Sequence, residues 1–111
     1  MLIKETWGHY LQERLIKNED KIAVIDISEH TRYTYRDLQY KSKMIEKALI
    51  GSNITRGTHV ALVFPNSATW IAIFMALINI GAVPVCLNNE NIEEEILYEI
   101  KYADARVVIT D

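Results

Sequence analysis

The sequence is poor in the residues that cross-link or interrupt a chain. Of its 111 residues, four are glycine, two are proline and one is cysteine. A single cysteine, Cys86, excludes a disulfide framework and a cysteine-based zinc site within the chain, and it favours the reducing cytoplasm as the location. So few glycines and prolines exclude collagen and a loop-rich chain, and 50% hydrophobic residues exclude disorder. These absences leave one globular domain of ordinary size.

A surplus of positive charge is also missing. Twelve Lys and Arg stand against 15 Asp and Glu, so the net charge is −3 and nothing indicates a nucleic-acid binder. No charged residue occurs between Val60 and Asn89, and such a run can indicate a membrane span. A span needs about 20 apolar residues, whereas the uninterrupted stretch from Ala68 to Ile78 has 11 residues. We therefore predict no membrane span.

Hydrophobic periodicity predicts a helix and a hairpin at the start of the chain. Apolar residues recur every four positions over 6–15, as in an amphipathic helix: Trp7, Leu11 and Leu15. Two runs rich in β-branched and aromatic residues, 22–27 and 32–35, then predict a β-hairpin. The second helix starts at Thr34–Asp37, which reads as a helix cap with an acid in the first turn, and ends at Gly51.

Three strands alternate with two helices in the rest of the chain. The predicted strands are the apolar runs 60–64, 83–87 and 106–109. Asn66 or Ser67 caps the helix 68–80, and Asn91 caps the last helix. Continuous apolar strands alternating with helices are typical of a parallel sheet with right-handed crossovers. The prediction is an α/β fold: a mostly parallel sheet with flanking helices, preceded by a helix and a β-hairpin.

Several side chains of this second half are assigned to packing rather than to chemistry. The helix 68–80 is apolar nearly all round, so it should lie inside a larger body. The core residues of this helix and of the last one are expected to be Trp70, Phe74, Leu77, Ile92, Ile96 and Ile100. Cys86 lies in an apolar strand and should be packed, protonated and inert. Pro84 lacks an N–H, so its strand should lie at an edge of the sheet or begin there.

The residue patterns of common active sites are absent. The sequence has no GxGxxG and no glycine-rich phosphate loop followed by lysine. The three histidines, His9, His30 and His59, do not have metal-ligand spacing. We therefore predict no catalytic, no cofactor-binding and no metal-binding residue in this chain.

Three groups of residues keep an alternative interpretation beside the structural one. Glu93–Glu95 would complement a helix dipole or form half of a cation site. Trp70 and Phe74, one turn apart, would pack in a core or wall a ligand pocket. Asn66 and Ser67 lie in a strand-to-helix loop, where they would cap the helix or hold a phosphate.

Four stretches, in order, resemble segments of the adenylate-forming ligases. Thr34–Leu38 resembles the family motif Thr-Tyr-x-Glu-Leu, and 57–67 resembles Gly-Asp-x-Val-Ala-x-x-x-x-Asn-Ser. The stretch 77–88 resembles Leu-Lys-x-Gly-Ala-x-x-Val-Pro-Leu-Asn, and 105–109 resembles Ala-Lys-x-x-Ile. This AMP-binding family includes acyl-CoA synthetases, luciferases and the adenylation domains of peptide synthetases.

The stretch 77–88 is more similar to acyl-CoA synthetases than to peptide-synthetase modules. It departs from the family at two positions: Cys86 replaces the usual Pro, and Pro84 stands where an aromatic residue is common. In the stretch 57–67, Thr58 stands where the family usually has Asp. These departures affect the placement of the chain within the family more than its membership.

The resemblance implies that residues 1–111 are the N-terminal segment of an AMP-binding domain, cut after a strand at Asp111. The parent protein would use ATP, Mg and CoA to form an acyl-adenylate and then a thioester. Its phosphate loop and catalytic lysine lie downstream, so the segment alone should be inactive. Its partner would be the remainder of the parent ligase, and alone it should form a homo-oligomer through an exposed sheet edge. The candidate contacts are 83–87 and 106–109, and Pro84 favours the second. The alternative is a free-standing small α/β interaction or regulatory module without catalysis.

Overall fold

The structure is a computed structural model that describes residues 7–111. The helices and strands in this range follow the order expected from the sequence. They are α1 (Trp7–Lys17), β1 (Ile22–Asp26), β2 (Thr31–Thr34), α2 (Tyr35–Gly51), β3 (His59–Val63), α3 (Ala68–Asn79), β4 (Val83–Cys86), α4 (Glu93–Tyr102) and β5 (Val107–Thr110). Thr6, which the sequence assigns to the first helix, lies outside the described residues.

The strands form two sheets. β1 and β2 pair antiparallel as a hairpin, with Ile25 opposite Arg32. β3 lies between β4 and β5 and is parallel to both of them. The predicted α/β fold, with a parallel sheet preceded by a helix and a hairpin, is therefore confirmed. Pro84 lies in the edge strand β4, as its missing N–H requires.

Two of the predicted helix starts are confirmed by their hydrogen bonds. The Thr34 hydroxyl accepts from the Asp37 amide at 3.1 Å, and the Asp37 carboxylate accepts from the Thr34 amide at 2.9 Å, which together form a capping box. Of the two candidate caps of α3, Ser67 is the one that acts, since its hydroxyl accepts from the Trp70 amide at 3.1 Å. Both caps use donors that an uncapped helix would leave unpaired.

One predicted helix boundary is confirmed and one is wrong. Helix α2 ends at Gly51, as predicted, although the residue that adopts the left-handed conformation after it is Asn53, with φ of 63°. Asparagine is one of the few residues that tolerate this conformation. Asn91 does not cap α4: the cap position falls on Ile92, which makes no side-chain cap hydrogen bond, and Asn91 lies one residue earlier, in a turn where its amide donates to the Asn88 carbonyl. The three glutamates of the first turn complement the dipole there instead.

The main core lies between the parallel sheet and the helices α2 and α3. It contains Leu49, Ile54, Val60, Leu62, Ile73, Ala76, Leu77 and Ala82. A smaller cluster of Leu15, Leu38 and Met75 connects α1 and α2 to α3, and residues of the hairpin pack against it. Helix α3 contributes to both clusters, which explains its apolar circumference.

The packing assignments are confirmed in part, and those of Ile92 and Cys86 are wrong. Trp70 and Phe74 are half-buried, pack against the main cluster and stack on each other with ring centroids 5.4 Å apart. Ile92 is exposed because α4 begins one residue after it, whereas Ile96 and Ile100 are half-buried. Cys86 is exposed because it ends an edge strand. Partial desolvation still raises the pKa of the Cys86 thiol, in the direction that keeps it protonated.

Within residues 7–111, no helix has both the length and the apolar character needed to cross a membrane.

Candidate functional site

The carboxyl ends of the three parallel strands lie along one edge of the sheet. The register places Leu62 of β3 opposite Cys86 of β4, and Val63 opposite Thr110 of β5. Ligands of open α/β sheets bind outside the carboxyl ends of strands, in the loops that follow them. We call this edge, with the loops 64–67 and 87–92, the carboxyl edge. It is the candidate functional site of the chain.

The loop after β3 is short and tightly bonded. The Ser67 hydroxyl donates to the Pro65 carbonyl at 3.1 Å and also accepts from Trp70, so it is occupied in turn and cap formation. Asn66 is exposed beside it. Of the two residues considered as a phosphate site, Ser67 is therefore a structural cap and Asn66 is the one presented to solvent.

The loop after β4 is rich in asparagine and exposed. The Leu87 amide donates to Leu62 at 3.1 Å and continues the pairing of β4 with β3. The Asn88 side chain then accepts from the Glu90 amide at 2.9 Å, and the Asn88 carbonyl accepts from Asn91 at 3.2 Å. These bonds form a turn that leads into α4. Glu93–Glu95 lie exposed in the first turn of that helix, on a solvated face.

A cleft of about 430 Å³ lies between the hairpin and the first turn of α3. Asp26 lies in its wall with Ser67 and Trp70, so Trp70 faces a cleft on one side and stacks on Phe74 on the other. The Asp26 carboxylate accepts from the Ser28 hydroxyl at 2.7 Å, the Ala68 amide at 3.1 Å and the Glu29 amide at 3.2 Å. The hydrogen bond from Ser28, followed by that from Ala68, lowers the pKa of Asp26 below its ordinary value.

Sequence reasoning missed Asp26, which lies beside the candidate site. Its bonds to Ser28 and Glu29 form a local turn, which the spacing of an acid and a serine two positions later could have indicated. Its bond to Ala68 joins residues 42 positions apart, and no local pattern signals such a contact.

The histidines occupy three different parts of the fold. His9 lies on α1, 3.6 Å from Glu13, and His30 lies in the hairpin turn with φ of 54°. The Nδ1 atom of His59 is 2.8 Å from the Ala103 carbonyl oxygen. Because a carbonyl only accepts, Nδ1 donates and joins the start of β3 to the end of α4. Across residues 7–111, no three or more His, Cys, Asp or Glu side chains form a group that could hold a metal ion.

Comparison with known proteins identifies the family of the chain. The family model described as AMP-binding enzyme matches residues 11–111. The chain therefore belongs to the AMP-binding enzyme family, as its four motifs predict.

Two relatives match almost the whole chain. The acyl-CoA ligase sidI of Beauveria bassiana is 35% identical over 109 residues, which is 98% of this chain and 19% of that protein. The 2-succinylbenzoate–CoA ligase of Oceanobacillus iheyensis is 32% identical over 108 residues, which is 97% of this chain and 22% of that protein. The chain thus spans about a fifth of the length of these curated relatives.

A solved structure shares the fold. The N-terminal subdomain of Klebsiella oxytoca NpsA, in complex with 3-hydroxybenzoyl-AMSN, matches with a TM-score of 0.91 at 26% identity. The match covers 96% of this chain and 26% of that chain. The predicted fold, a part of the N-terminal subdomain of adenylate-forming enzymes, is confirmed.

Proposed function

We propose that residues 1–111 are the N-terminal segment of an ATP-dependent ligase that activates a carboxylate. The observation that carries the proposal is the match of the AMP-binding enzyme model to residues 11–111, in a chain with about a fifth of the length of its relatives. In the complete protein, a carboxylate oxygen attacks the α-phosphate of ATP and releases pyrophosphate. A thiolate then attacks the carbonyl carbon of the acyl-adenylate and releases AMP.

The thiol acceptor that we propose is CoA. Both relatives described above are CoA ligases by name, and the stretch 77–88 is more similar to acyl-CoA synthetases than to peptide-synthetase modules. The measurement is mass spectrometry of the products that the complete protein forms from ATP, CoA and carboxylates. The expected product is an acyl-CoA thioester, whereas an acyl-adenylate that persists with CoA present would favour a carrier-protein acceptor.

The role that we propose for this segment is structural. The hydroxyl of Ser67 is used in capping, the Asn88 side chain is used in a turn, and the described residues form no metal-holding group. We assign no catalytic, cofactor-binding or metal-binding residue to the segment, and we place the sites for ATP and Mg²⁺ in the remainder of the ligase. That remainder is its proposed partner, and the cytoplasm is its proposed location.

Carboxylate-dependent exchange of pyrophosphate into ATP tests the proposal. The assay compares the 111-residue chain with the complete ligase that we propose contains it, using fatty acids and aromatic acids that include 2-succinylbenzoate. We expect background exchange from the segment and acid-dependent exchange from the complete protein. Clear exchange by the segment alone would contradict the structural role. A reading frame that ends at Asp111 would favour the free-standing interaction module.

A further inference from the structure

We propose that Asp26 is a positioning residue that holds the loop 64–67 in place at the carboxyl edge. The proposal rests on the proposed function, because it takes the carboxyl edge as the side that faces the reacting ligands. Asp26 itself touches no ligand in this scheme. It acts through the amide of Ala68, the residue directly after the loop.

The burial of Asp26 is unusual for its position. It is the last residue of β1 and precedes Ile27, which is 81% exposed, yet Asp26 is 6% exposed. Burying a carboxylate is costly unless hydrogen bonds replace its water. Here three donors do so: Ser28 and Glu29 bond to Oδ1, and Ala68 bonds to Oδ2. One oxygen thus serves the hairpin and the other serves α3.

The Ala68 amide is a suitable donor for this contact. It is the first amide of α3, and the first amides of a helix have no partner within the helix. The partial positive charge at that end also favours a carboxylate. Ser67 caps α3 locally, so the first turn receives a second, remote cap from the hairpin.

This second cap fixes the loop as well as the helix. The loop 64–67 begins where β3 ends, in the centre of the parallel sheet, and it finishes directly before Ala68. The pairing of β3 holds one end, and Asp26 connects the other end to the hairpin. Small displacements of groups around a reacting centre are costly in rate, so the loss of this link should slow catalysis without removing any catalytic group.

The test uses the complete natural protein and the variant Asp26→Asn. Asparagine has the shape of aspartate, but its amide has a single acceptor oxygen, so it cannot accept from both the hairpin and Ala68. Two further variants serve as controls for Asp26→Asn. Ser28→Ala removes a donor to Asp26 and keeps the Ala68 bond, and Asp37→Asn removes the carboxylate of the α2 capping box. Pyrophosphate exchange, thermal unfolding and amide hydrogen exchange are measured for every variant.

Asp26→Asn should lower kcat/KM of exchange by about tenfold or more at temperatures where every variant is folded. Amide protection should fall over residues 64–71 only. Both controls should stay within about twofold of the wild type even where their melting temperatures fall. If Asp26→Asn stays within that range, or if Asp37→Asn slows exchange as much for the same loss of melting temperature, Asp26 is only a structural residue and the proposal is wrong.

A second variant breaks the same bond from the other side. Ala68→Pro removes the donating N–H, and proline is favoured at the first position of a helix. Ser67 has the extended backbone, φ −169° and ψ 171°, that a following proline requires. Ala68→Pro should slow exchange as Asp26→Asn does, and it provides the test of the proposal if Asp26→Asn does not fold.

If the wild-type protein shows no exchange, the proposed function fails separately. Unchanged protection of residues 64–71 in both variants would then overturn the role of Asp26.

Discussion

A glycine lets helix α1 lie against the last turn of α3. A Cβ atom at Gly8 would sit 3.2 Å from the Asn79 side-chain oxygen and 3.4 Å from the Ile78 carbonyl oxygen. A Cβ atom at Gly51, at the end of α2, would have no neighbouring atom within 4 Å. Both glycines are helical, but only Gly8 lies against another helix. Alanine substitutions at the two positions therefore distinguish the effect of helix propensity from the effect of packing.

Gly8→Ala should destabilise the protein although alanine is the better helix former. Propensity alone would add up to about 1 kcal/mol, and overpacking costs about 1–3 kcal/mol, so we expect a net loss of about 1 kcal/mol. Gly51→Ala is the control and should be stabilising by up to about 1 kcal/mol. Urea unfolding measures both. A gain in stability for Gly8→Ala would show that the contact between α1 and α3 is looser than the structure has it.

Asp26 should make stability depend on pH in the acidic range. Its pKa is lowered below the ordinary value of 3.8 by hydrogen bonds, so its ionised form contributes stability above that value. The contribution is lost as the pH falls through the lower pKa of the folded state. The charge of Asp26 also acts on Tyr33, whose pKa is raised by its own burial first, by Glu29 next and then by Asp26 and Asp37.

The measurement compares the free energy of unfolding of the wild type and Asp26→Asn across a pH series. We expect the wild type to be the more stable near neutral pH, and the difference to shrink as the pH falls below about 3.8. A difference that stays constant through that range would mean that the carboxylate is not ionised in the folded protein.

At the scale of elements, α3 is the helix on which both core clusters depend. Leu77 is 0% exposed in the main cluster, whereas Phe74, one helix turn earlier, is only half-buried at the margin of that cluster and stacks on Trp70. Side-chain size alone ranks phenylalanine above leucine. Burial reverses this order, because only the area removed from water contributes.

Leu77→Ala should therefore cost more stability than Phe74→Ala. We expect about 3–5 kcal/mol for Leu77, which leaves a cavity, and about 1.5–2.5 kcal/mol for Phe74, whose site is open on one side. Thermal and urea unfolding of the two variants give the comparison. A larger loss for Phe74→Ala would indicate that the open side of its ring is covered in the complete protein.

Local sequence patterns predict the helices and strands well, because residues that start or end a helix or strand can be recognised in the sequence. The capping box of Thr34 and Asp37 and the positive φ of Gly81 at 78° act over three or four residues, and both are readable in the sequence. The predicted start of α4 is wrong by one residue, since the cap position falls on Ile92, which makes no side-chain cap hydrogen bond, and not on Asn91. A residue of a capping type therefore indicates the start of a helix only to within one or two residues.

The position of the candidate site could be predicted from the sequence, but the hydrogen bond between Asp26 and Ala68 that supports its loop could not. The carboxyl edge follows from the order of strands and helices, since parallel strands end on the same side. The bond from Asp26 to Ala68 depends on how the hairpin packs on α3, over 42 positions of sequence. Periodicity describes which face of an element is buried, and it does not describe which polar group meets another across two elements.

At the scale of the whole molecule, the parallel sheet has an edge that the described residues leave without a strand. β5 pairs with β3 on one side, and within residues 7–111 no strand pairs with its other side. Val108 on this strand is 46% exposed, and Tyr102 at the end of the preceding helix is 82% exposed. The homo-oligomer expected from the sequence is thus still a prediction, and the outer edge of β5 is its site.

The isolated 111-residue chain should self-associate through this edge. Unpaired N–H and C=O groups of an edge strand pair readily with a second copy, and a net charge of −3 opposes this little. Val108→Lys places a charge on the edge strand and should shift sedimentation equilibrium towards the monomer. Val83→Lys is the control, because Val83 is 40% exposed on the other edge strand, where Pro84 interrupts pairing. A monomeric wild type, or equal effects of both substitutions, would exclude β5 as the contact.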